Sequence, residues 1–370
     1  MGQERSSLLT GGKGVCHALF AYDVGASINL DEAERRITAS KQRSRIEHKR
    51  KAPQYFNYRP APLRVMQEGE PLVISTCRSS ATVDLVLYDF GAVSVAYTLP
   101  FESTCAELLA LSDTLYDNPV LLADSRRRVE QILAAIVEAV EKPSISDFVE
   151  DYVIFQLEAN APSAAGATVG TPLGRDIAQI LRSERVPLSP QEVEDAMACR
   201  ISFSAEDAAI LDWNAALIFG REMDDVRAVL EFANVELLEM RYLDQQLDDA
   251  LDQAYEALSR RQAGRSRWPG SFETDARHIA QLQVDSAILF ERVTNALKLL
   301  GDQYLARVYR LMSQRFHLAS WDASIIRKLQ TLDSIYGKMA DRAAVRRMEA
   351  LEWIIILLIA ISIAVSLVPG

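Results

Sequence analysis

The sequence predicts an α+β fold, in which an N-terminal mixed sheet-and-helix domain is followed by long antiparallel helices and a C-terminal transmembrane helix. Three observations predict this fold class: strand-like segments before residue 220, heptad repeats after it, and an apolar run at the C-terminal end. With 370 residues, 49% of them apolar, the chain can bury a sizeable core. The predicted segments are a basic N-terminal segment at 1–59, an α+β domain at 60–220, a helical hairpin or stalk at 221–349 and a transmembrane helix at 350–368.

The predicted sheet is built from short segments rich in Val, Leu and Ile, bounded by turn residues. The predicted strands are 15–22, 71–76, 82–88 and 91–98, with Asp89, Phe90 and Gly91 as a turn. Helical spacing predicts helices at 103–116, with Ser103 as the N-cap, and at 120–140. The segment 147–157 fits either a strand or a helix, residues 160–175 favour a loop, and the apolar stretches at 201–219 could complete the sheet.

The helical part is predicted from apolar residues that recur at alternating spacings of four and three. The first of these seams is Val226, Leu230, Ala233, Leu237, Met240, Asp244, Leu247, Leu251, Ala254 and Leu258. Two further seams run from Leu282 to Leu311 and from Ile325 to Ala343. Long helices joined by a short turn, here residues 264–270, normally pack antiparallel. Three seams offer more apolar surface than one pair requires, which favours a homo-oligomer.

The C-terminal apolar run, residues 353–368, has only Ser362 and Ser366 as polar members. Together with residues 350–352 it would span roughly 28 Å as a helix, close to a hydrocarbon thickness of about 30 Å. The predicted anchor side chains are Trp353, Ile354, Ile355, Leu357, Leu358 and Ile361. The basic residues that would set the topology are Lys338, Arg342, Arg346 and Arg347. We therefore expect a single-pass protein of an inner or cytoplasmic membrane, with its N-terminal bulk on the cytoplasmic or matrix side.

Positive charge is concentrated near the N-terminus, where residues 1–64 carry +6 and the remainder −17. The residues that could contact phosphates or anionic headgroups are Arg43, Arg45, Lys49, Arg50 and Lys51. A solvated basic helix explains the same residues, and the sequence leaves both alternatives open. Because the whole chain carries −11, direct nucleic-acid binding is not expected.

The chemistry-bearing residues form no familiar catalytic pattern. The histidines, His17, His48, His278 and His317, stand apart from one another, and the four cysteines form no C-x-x-C pair. Neighbouring acids such as Asp224 and Asp225 diverge by about 100° on a helix, which is typical of a solvated face. No catalytic residue, metal site or cofactor is therefore predicted.

The C-terminal third resembles a known family. The segments that carry the resemblance are 302–305, 307, 309–310, 328–330, 334–336 and 351–355, together with 88–93. They resemble the domain-of-unknown-function family 155, the "required for meiotic nuclear division 1" family, over residues 70–365. Ser362 stands where that family usually carries an acidic residue. The resemblance implies a C-terminally anchored inner-membrane protein without established enzymatic activity, associated in mitochondria with organellar translation.

These observations predict a non-enzymatic, membrane-anchored scaffold that recruits a protein or ribonucleoprotein partner to the membrane. The expected partners are the lipid bilayer, that unidentified protein or ribonucleoprotein, and a second copy of the chain. The alternative is an enzyme of unrecognised class with a pocket in residues 60–220.

Overall fold

A computed structural model describes residues 12–40, 46–47, 60–158, 171–204, 207–220, 223–262, 284 and 303–366. Within these ranges only the backbone is described at 38–40, 46–47, 257–262, 339–351, 354, 357 and 359–366. The predicted anion-contact residues Arg43, Arg45, Lys49, Arg50 and Lys51 lie outside the described residues. The chain divides into two compact units: unit 1 comprises residues 1–242 and 287–321, and unit 2 comprises 243–286 and 322–370.

The described strands and helices follow one another as an α+β chain. The strands are β1 (Gly12–Asp23), β2 (Ser27–Ile28), β3 (Ile46–Glu47), β4 (Leu63–Glu68), β5 (Val73–Ile74), β6 (Cys77–Arg78), β7 (Thr82–Leu87), β8 (Ala92–Ser103), β9 (Val140–Glu141), β10 (Val149–Leu157), β11 (Arg200–Ile201), β12 (Ala208–Leu211) and β13 (Ala215–Phe219). The helices are α1 (Leu30–Ser40), α2 (Cys105–Leu115), α3 (Pro119–Ile136), α4 (Pro172–Arg182), α5 (Pro190–Ala196), α6 (Asp224–Gln262), α7 (Gln303–Arg315) and α8 (Leu318–Ser366).

Unit 1 is organised by a nine-stranded mixed sheet in the order β11-β12-β13-β10-β1-β8-β7-β4-β3. Strands β10 and β13 run parallel, and the other neighbouring strands pair antiparallel. The two central strands, β1 and β8, pair along their whole length, from Gly12 opposite Ser103 to Asp23 opposite Ala92. The predicted α+β character and most of the predicted strands are therefore confirmed, and β1 is longer than expected.

Both faces of this sheet are buried. Cys16, Ala18, Phe20 and Tyr22 of β1 belong to the core that includes side chains of α1 to α5. The intervening side chains point to the opposite face, because successive residues of a strand alternate. That face contacts α6 and α7 within unit 1, through hydrogen bonds such as Ser94 to Glu231. Strands covered on both sides are apolar at successive positions, which is why β10 resembled a helix in the sequence.

The helices that follow β8 begin at identifiable caps. Thr104 caps α2 by a reciprocal capping box with Glu107, so the predicted cap at Ser103 lies one residue too early. Asn118 caps α3 by accepting hydrogen bonds from the backbone N–H groups of Val120 and Leu121. Pro119 occupies the first helical position, where its missing N–H costs nothing. Asn118 and Pro119 together fix where the first turn of α3 begins.

The structure corrects the prediction of long antiparallel helices. In unit 2, Ser324 of α8 donates to Asp244 of α6, and Lys328 pairs with both Asp244 and Asp248. These contacts advance in the same direction along both helices, as they do when two helices run parallel. The described part of helix α7 has 13 residues and belongs to unit 1. Most of the predicted second seam lies outside the described residues.

The structure also corrects the prediction of a transmembrane helix. Within the part of the chain whose side chains the structure describes, no helix combines the length and apolarity required to cross a bilayer. The run from 353 onward is the last part of the 49-residue helix α8. The single-pass anchor, the inner-membrane localisation and the tail-anchored fold class are therefore wrong on this finding.

Candidate binding cleft in unit 1

An open cleft of about 870 Å³ lies between the end of β4 with its following loop and the first three turns of α3. It is lined by Glu68, Gly69, Glu70, Leu72, Pro119, Val120, Ala123, Asp124, Arg127, Arg128 and Gln131. The volume falls in the range of about 300–1,000 Å³ that is usual for small-molecule sites.

One wall of the cleft is a single face of α3. Residues 120, 123, 124, 127 and 131 follow the three- and four-residue spacing that places side chains on one side of a helix. The other face of α3 is anchored in the core by Leu121, Val129, Ile132 and Ile136. Helix α3 therefore forms the cleft wall with one face and covers the sheet with the other.

The opposite wall is the loop that leaves β4. Gly69 donates its N–H to the carbonyl of Ala81 at 2.7 Å, and the backbone N–H of Leu72 donates to Ser79 Oγ at 2.9 Å. A Cβ atom at position 69 would overlap Nη2 of Arg128, so glycine lets the guanidinium lie directly against the backbone. The loop and the helix are thus fitted to each other at this point.

The floor of the cleft is a buried cluster around Asp124. Its Oδ2 atom accepts hydrogen bonds from Tyr97 Oη and from Arg128 Nε, both at 2.7 Å, and its Oδ1 atom contacts Arg127. The side chains of Asp124 and Arg128 are 7% and 6% exposed, whereas Arg127 is 63% exposed. Burial opposes ionisation of Asp124, but the hydrogen bonds from Tyr97 and Arg128 outweigh it and lower the pKa of the carboxyl below its ordinary value. The carboxylate is therefore charged, and both of its oxygens accept hydrogen bonds.

A second ion cluster ties α7 to the sheet. Asp212, at the end of β12, is fully buried and accepts from Arg182 Nε at 3.0 Å and from Arg315 Nε at 2.6 Å. Asp195 bridges the same two arginines from α5. Hydrogen bonding to Arg315 is the main cause that lowers the pKa of Asp195 to about 2. These groups neutralise one another, which is typical of a structural network.

A third polar cluster lies between the sheet and α6. Glu231 accepts from Ser94 Oγ at 2.8 Å and pairs with Arg64, and it is almost fully buried. His17 lies in the same region, and its pKa is lowered to about 3, first by burial and then by the positive charges of Arg227 and Arg64. Its imidazole is therefore neutral at physiological pH.

Among the side chains that the structure describes, none of the sequence-predicted site residues lines the cleft. Trp353, Ile355 and Leu358 are exposed on α8, and Lys338 is exposed on the same helix. The side chains of Ile354, Leu357, Ile361, Arg342, Arg346 and Arg347 lie outside those that the structure describes. Sequence reasoning missed Asp124, Arg127 and Arg128, although their spacing of three and four on a predicted helix was visible in the sequence.

Most of the sheet unit is similar in sequence to a known protein family. Residues 13–225, more than half of the chain, match the family described as "Uncharacterized protein MJ0711, N-terminal domain". The chain belongs to this family. A relative from Methanocaldococcus jannaschii, "Uncharacterized protein MJ0711", is 20% identical over 209 residues, which are 56% of this chain and 62% of the relative. The match thus covers less than two thirds of the relative's length. No solved structure matches the chain.

Membership of the MJ0711 N-terminal family corrects the predicted resemblance to the domain-of-unknown-function family 155. Most of the segments that carried that resemblance lie beyond residue 225 and fall on α7 and α8. Short helical segments with Leu, Tyr, Arg and Ile at helical spacing recur in many amphipathic helices, so they identify a family poorly. The matched region is instead the sheet unit, which contains the cleft. Both matches are to uncharacterised proteins, and neither indicates catalysis.

Proposed function

We propose that this protein acts by binding rather than by catalysis, and that the cleft of unit 1 is its binding site. The observation that carries this proposal is the occupied carboxylate on the cleft floor. A general base needs a free lone pair and a pKa close to the working pH. Asp124 is poorly suited to this role, because three donors already bond its two oxygens and its pKa is lowered.

The lining of the cleft supports binding in a second way. Leu72, Pro119 and Val120 provide apolar surface, whereas Arg127, Glu68 and Glu70 place charged groups at exposed positions around it. Ligand sites typically combine apolar walls with a few polar groups that fix orientation. The cleft therefore has the composition of a site that holds and orients a small molecule.

The experiment is a thermal-shift screen of the full chain against small metabolites, followed by mass spectrometry of each ligand that stabilises the protein. Ala123→Phe would fill the cleft from its exposed wall, and Ala134→Phe is the matched control about three turns further along α3, outside the lining. We expect ligands that stabilise the natural protein and the control, but not Ala123→Phe, and that are recovered unchanged.

An enzyme with a pocket in residues 60–220 is the second candidate, because the cleft lies within that range. Glu68 and Glu70 are exposed there and could act as acids or bases. Conversion of a cleft ligand during the incubation, lost in a Glu68→Gln or Glu70→Gln variant, would favour this candidate over simple binding.

The protein or ribonucleoprotein partner and the self-association predicted from the sequence stay predictions. Crosslinking and affinity purification of the full chain test both predictions, and a strictly monomeric protein that captures no partner would contradict them.

A further inference from the structure

The hydrogen-bonding groups on the cleft floor are unequally distributed between acceptors and donors. Asp124 is the acceptor, and its oxygens are already covered by Arg127, Arg128 and Tyr97. A carboxylate offers about four lone-pair sites, so little acceptor capacity is left for a ligand. A cation entering the cleft would therefore find little free acceptor capacity at Asp124.

The donors, in contrast, are in surplus. A guanidinium carries five N–H groups. Arg127 uses its Nη2 atom on Asp124 and is largely exposed. Arg128 gives Nε to Asp124 and Nη1 to Gln67 at 3.4 Å, while Nη2 lies against Gly69 and has no acceptor among the described residues. One carboxylate and two guanidinium groups leave the floor with a net charge of +1.

We infer that the cleft binds a small molecule through an oxyanion, a carboxylate or a phosphate, held between Arg127 and Arg128; this rests on the binding function proposed above. The planar guanidinium fork matches the geometry of both oxyanions and can bond them bidentately. Because Arg128 is recessed, its hydrogen bonds to the ligand are stronger than those of a surface arginine.

The opposite wall restricts the rest of the ligand. Glu68 and Glu70 are exposed carboxylates of the cleft lining, on the side facing α3. A second negative charge on the ligand would be repelled there, whereas a positive or neutral group would be accepted. The site therefore selects a molecule with one oxyanion and a neutral or cationic remainder.

The test uses three matched probes on the full chain by isothermal titration. 4-Aminobutyrate carries a carboxylate and an ammonium, phosphoethanolamine carries a phosphate and an ammonium, and glutarate replaces the ammonium by a second carboxylate. We expect one or both of the ammonium-bearing probes to bind, and glutarate to bind about tenfold more weakly than 4-aminobutyrate if the oxyanion is a carboxylate. The stronger of the first two identifies the oxyanion.

Two variants and a control locate the binding. Arg127→Gln removes an exposed guanidinium of the floor, and Gly69→Ala displaces Arg128 without removing it. Each should weaken binding by about tenfold, the loss expected for a charge-assisted hydrogen bond. Arg126→Gln removes the same charge one residue earlier, where the side chain pairs with Glu130 and Asp147 and does not line the cleft. It should change binding less than twofold.

The inference is overturned if none of the probes binds, if glutarate binds as tightly as the better of the two ammonium-bearing probes, or if Arg127→Gln and Gly69→Ala bind like the natural protein. Its failure can be separated from failure of the proposed function. A screened ligand that is lost in Ala123→Phe but retained in Arg127→Gln would leave cleft binding intact and remove the oxyanion.

Discussion

The Nε atom of Arg128 lies 2.7 Å from Oδ2 of Asp124, one turn earlier in the same helix. Both side chains are more than nine-tenths buried, so the pair is isolated from solvent screening. An i, i+4 ion pair on a helix surface contributes little, but a buried pair becomes costly when one partner is removed. The pair therefore stabilises the α3 wall of the cleft and also contributes to the charge of the cleft floor.

Asp124→Asn tests this support. The substitution removes the negative charge and leaves Arg128 buried without a counter-ion, which should lower the free energy of unfolding by about 3–5 kcal/mol. Asp147→Asn is the matched control, because Asp147 is 99% exposed and pairs with Arg126 at the surface. The control should lose less than about 1 kcal/mol in urea-induced unfolding. Equal losses in the two variants would contradict a structural role for the buried pair.

His17 predicts a loss of stability in acid. Its folded-state pKa of about 3 lies below the ordinary value, mainly because burial disfavours the charged ring. The unfolded chain therefore binds more protons between pH 6.5 and pH 3, and stability falls as the pH is lowered through that window. The His17 contribution between pH 7 and pH 4 should be about 3 kcal/mol.

The measurement is the free energy of unfolding at several pH values for the natural protein and for His17→Gln, which should have the flatter profile. His317→Asn is the control: His317 is exposed and has a φ of 54°, a left-handed conformation that Asn tolerates. If both variants follow the natural profile, the buried imidazole is not the group that responds to acid.

Gly91 and Gly337 predict opposite effects of the same substitution. Gly91 has a φ of 98°, and a Cβ there would overlap the carbonyl oxygen of Gly25, so Gly91→Ala should cost roughly 2 kcal/mol or more. A Cβ at Gly337, in the middle of α8, meets nothing within 4 Å. Gly337→Ala should therefore stabilise that helix by about 0.5–1 kcal/mol. Thermal unfolding measures both, and a loss at position 337 would show that α8 is covered there.

The parts of the fold that depend on local sequence could be predicted. The strands around Asp89, Phe90 and Gly91 follow from β-branched runs and turn residues, and the start of α2 follows from a cap to within one residue. The direction in which α6 and α8 pack could not be predicted, because seams define a helix face but not the helix it meets. The apolar run at 353–368 suggested an anchor, because an apolar run alone does not distinguish a membrane span from the end of a longer helix.

The cleft could be predicted only in part. The spacing of Asp124, Arg127 and Arg128 on α3 is local, but their meeting with Gly69 depends on a loop more than 50 residues away. The second ion cluster, around Asp212, is even harder to predict, because it joins Asp212 to Arg182 and Arg315 across sequence separations of 30 and 103 residues. Single-sequence patterns do not report such pairings.

The last prediction concerns this second ion cluster. Asp212 is the acceptor that two arginines share, so Asp212→Asn leaves both guanidinium groups facing a neutral, buried amide. We expect a loss of about 3–5 kcal/mol in the free energy of unfolding. Asp113→Asn removes a carboxylate from the exposed pair with Arg185 and should cost less than about 1 kcal/mol.

A double-mutant cycle separates sharing from simple packing. If Arg182 and Arg315 compete for and jointly neutralise Asp212, the effects of Arg182→Met and Arg315→Met on unfolding will be non-additive by about 0.5–3 kcal/mol. The second ion cluster should also persist in mild acid, because the pKa of Asp195 is about 2. The contribution of Asp195 to the free energy of unfolding is therefore lost only as the pH falls from about 4 towards 2. Additive single effects would show that the two arginines stabilise the fold independently of each other. Release of α7 already at pH 5, measured by hydrogen exchange, would show that a group with a higher pKa than Asp195 holds the helix.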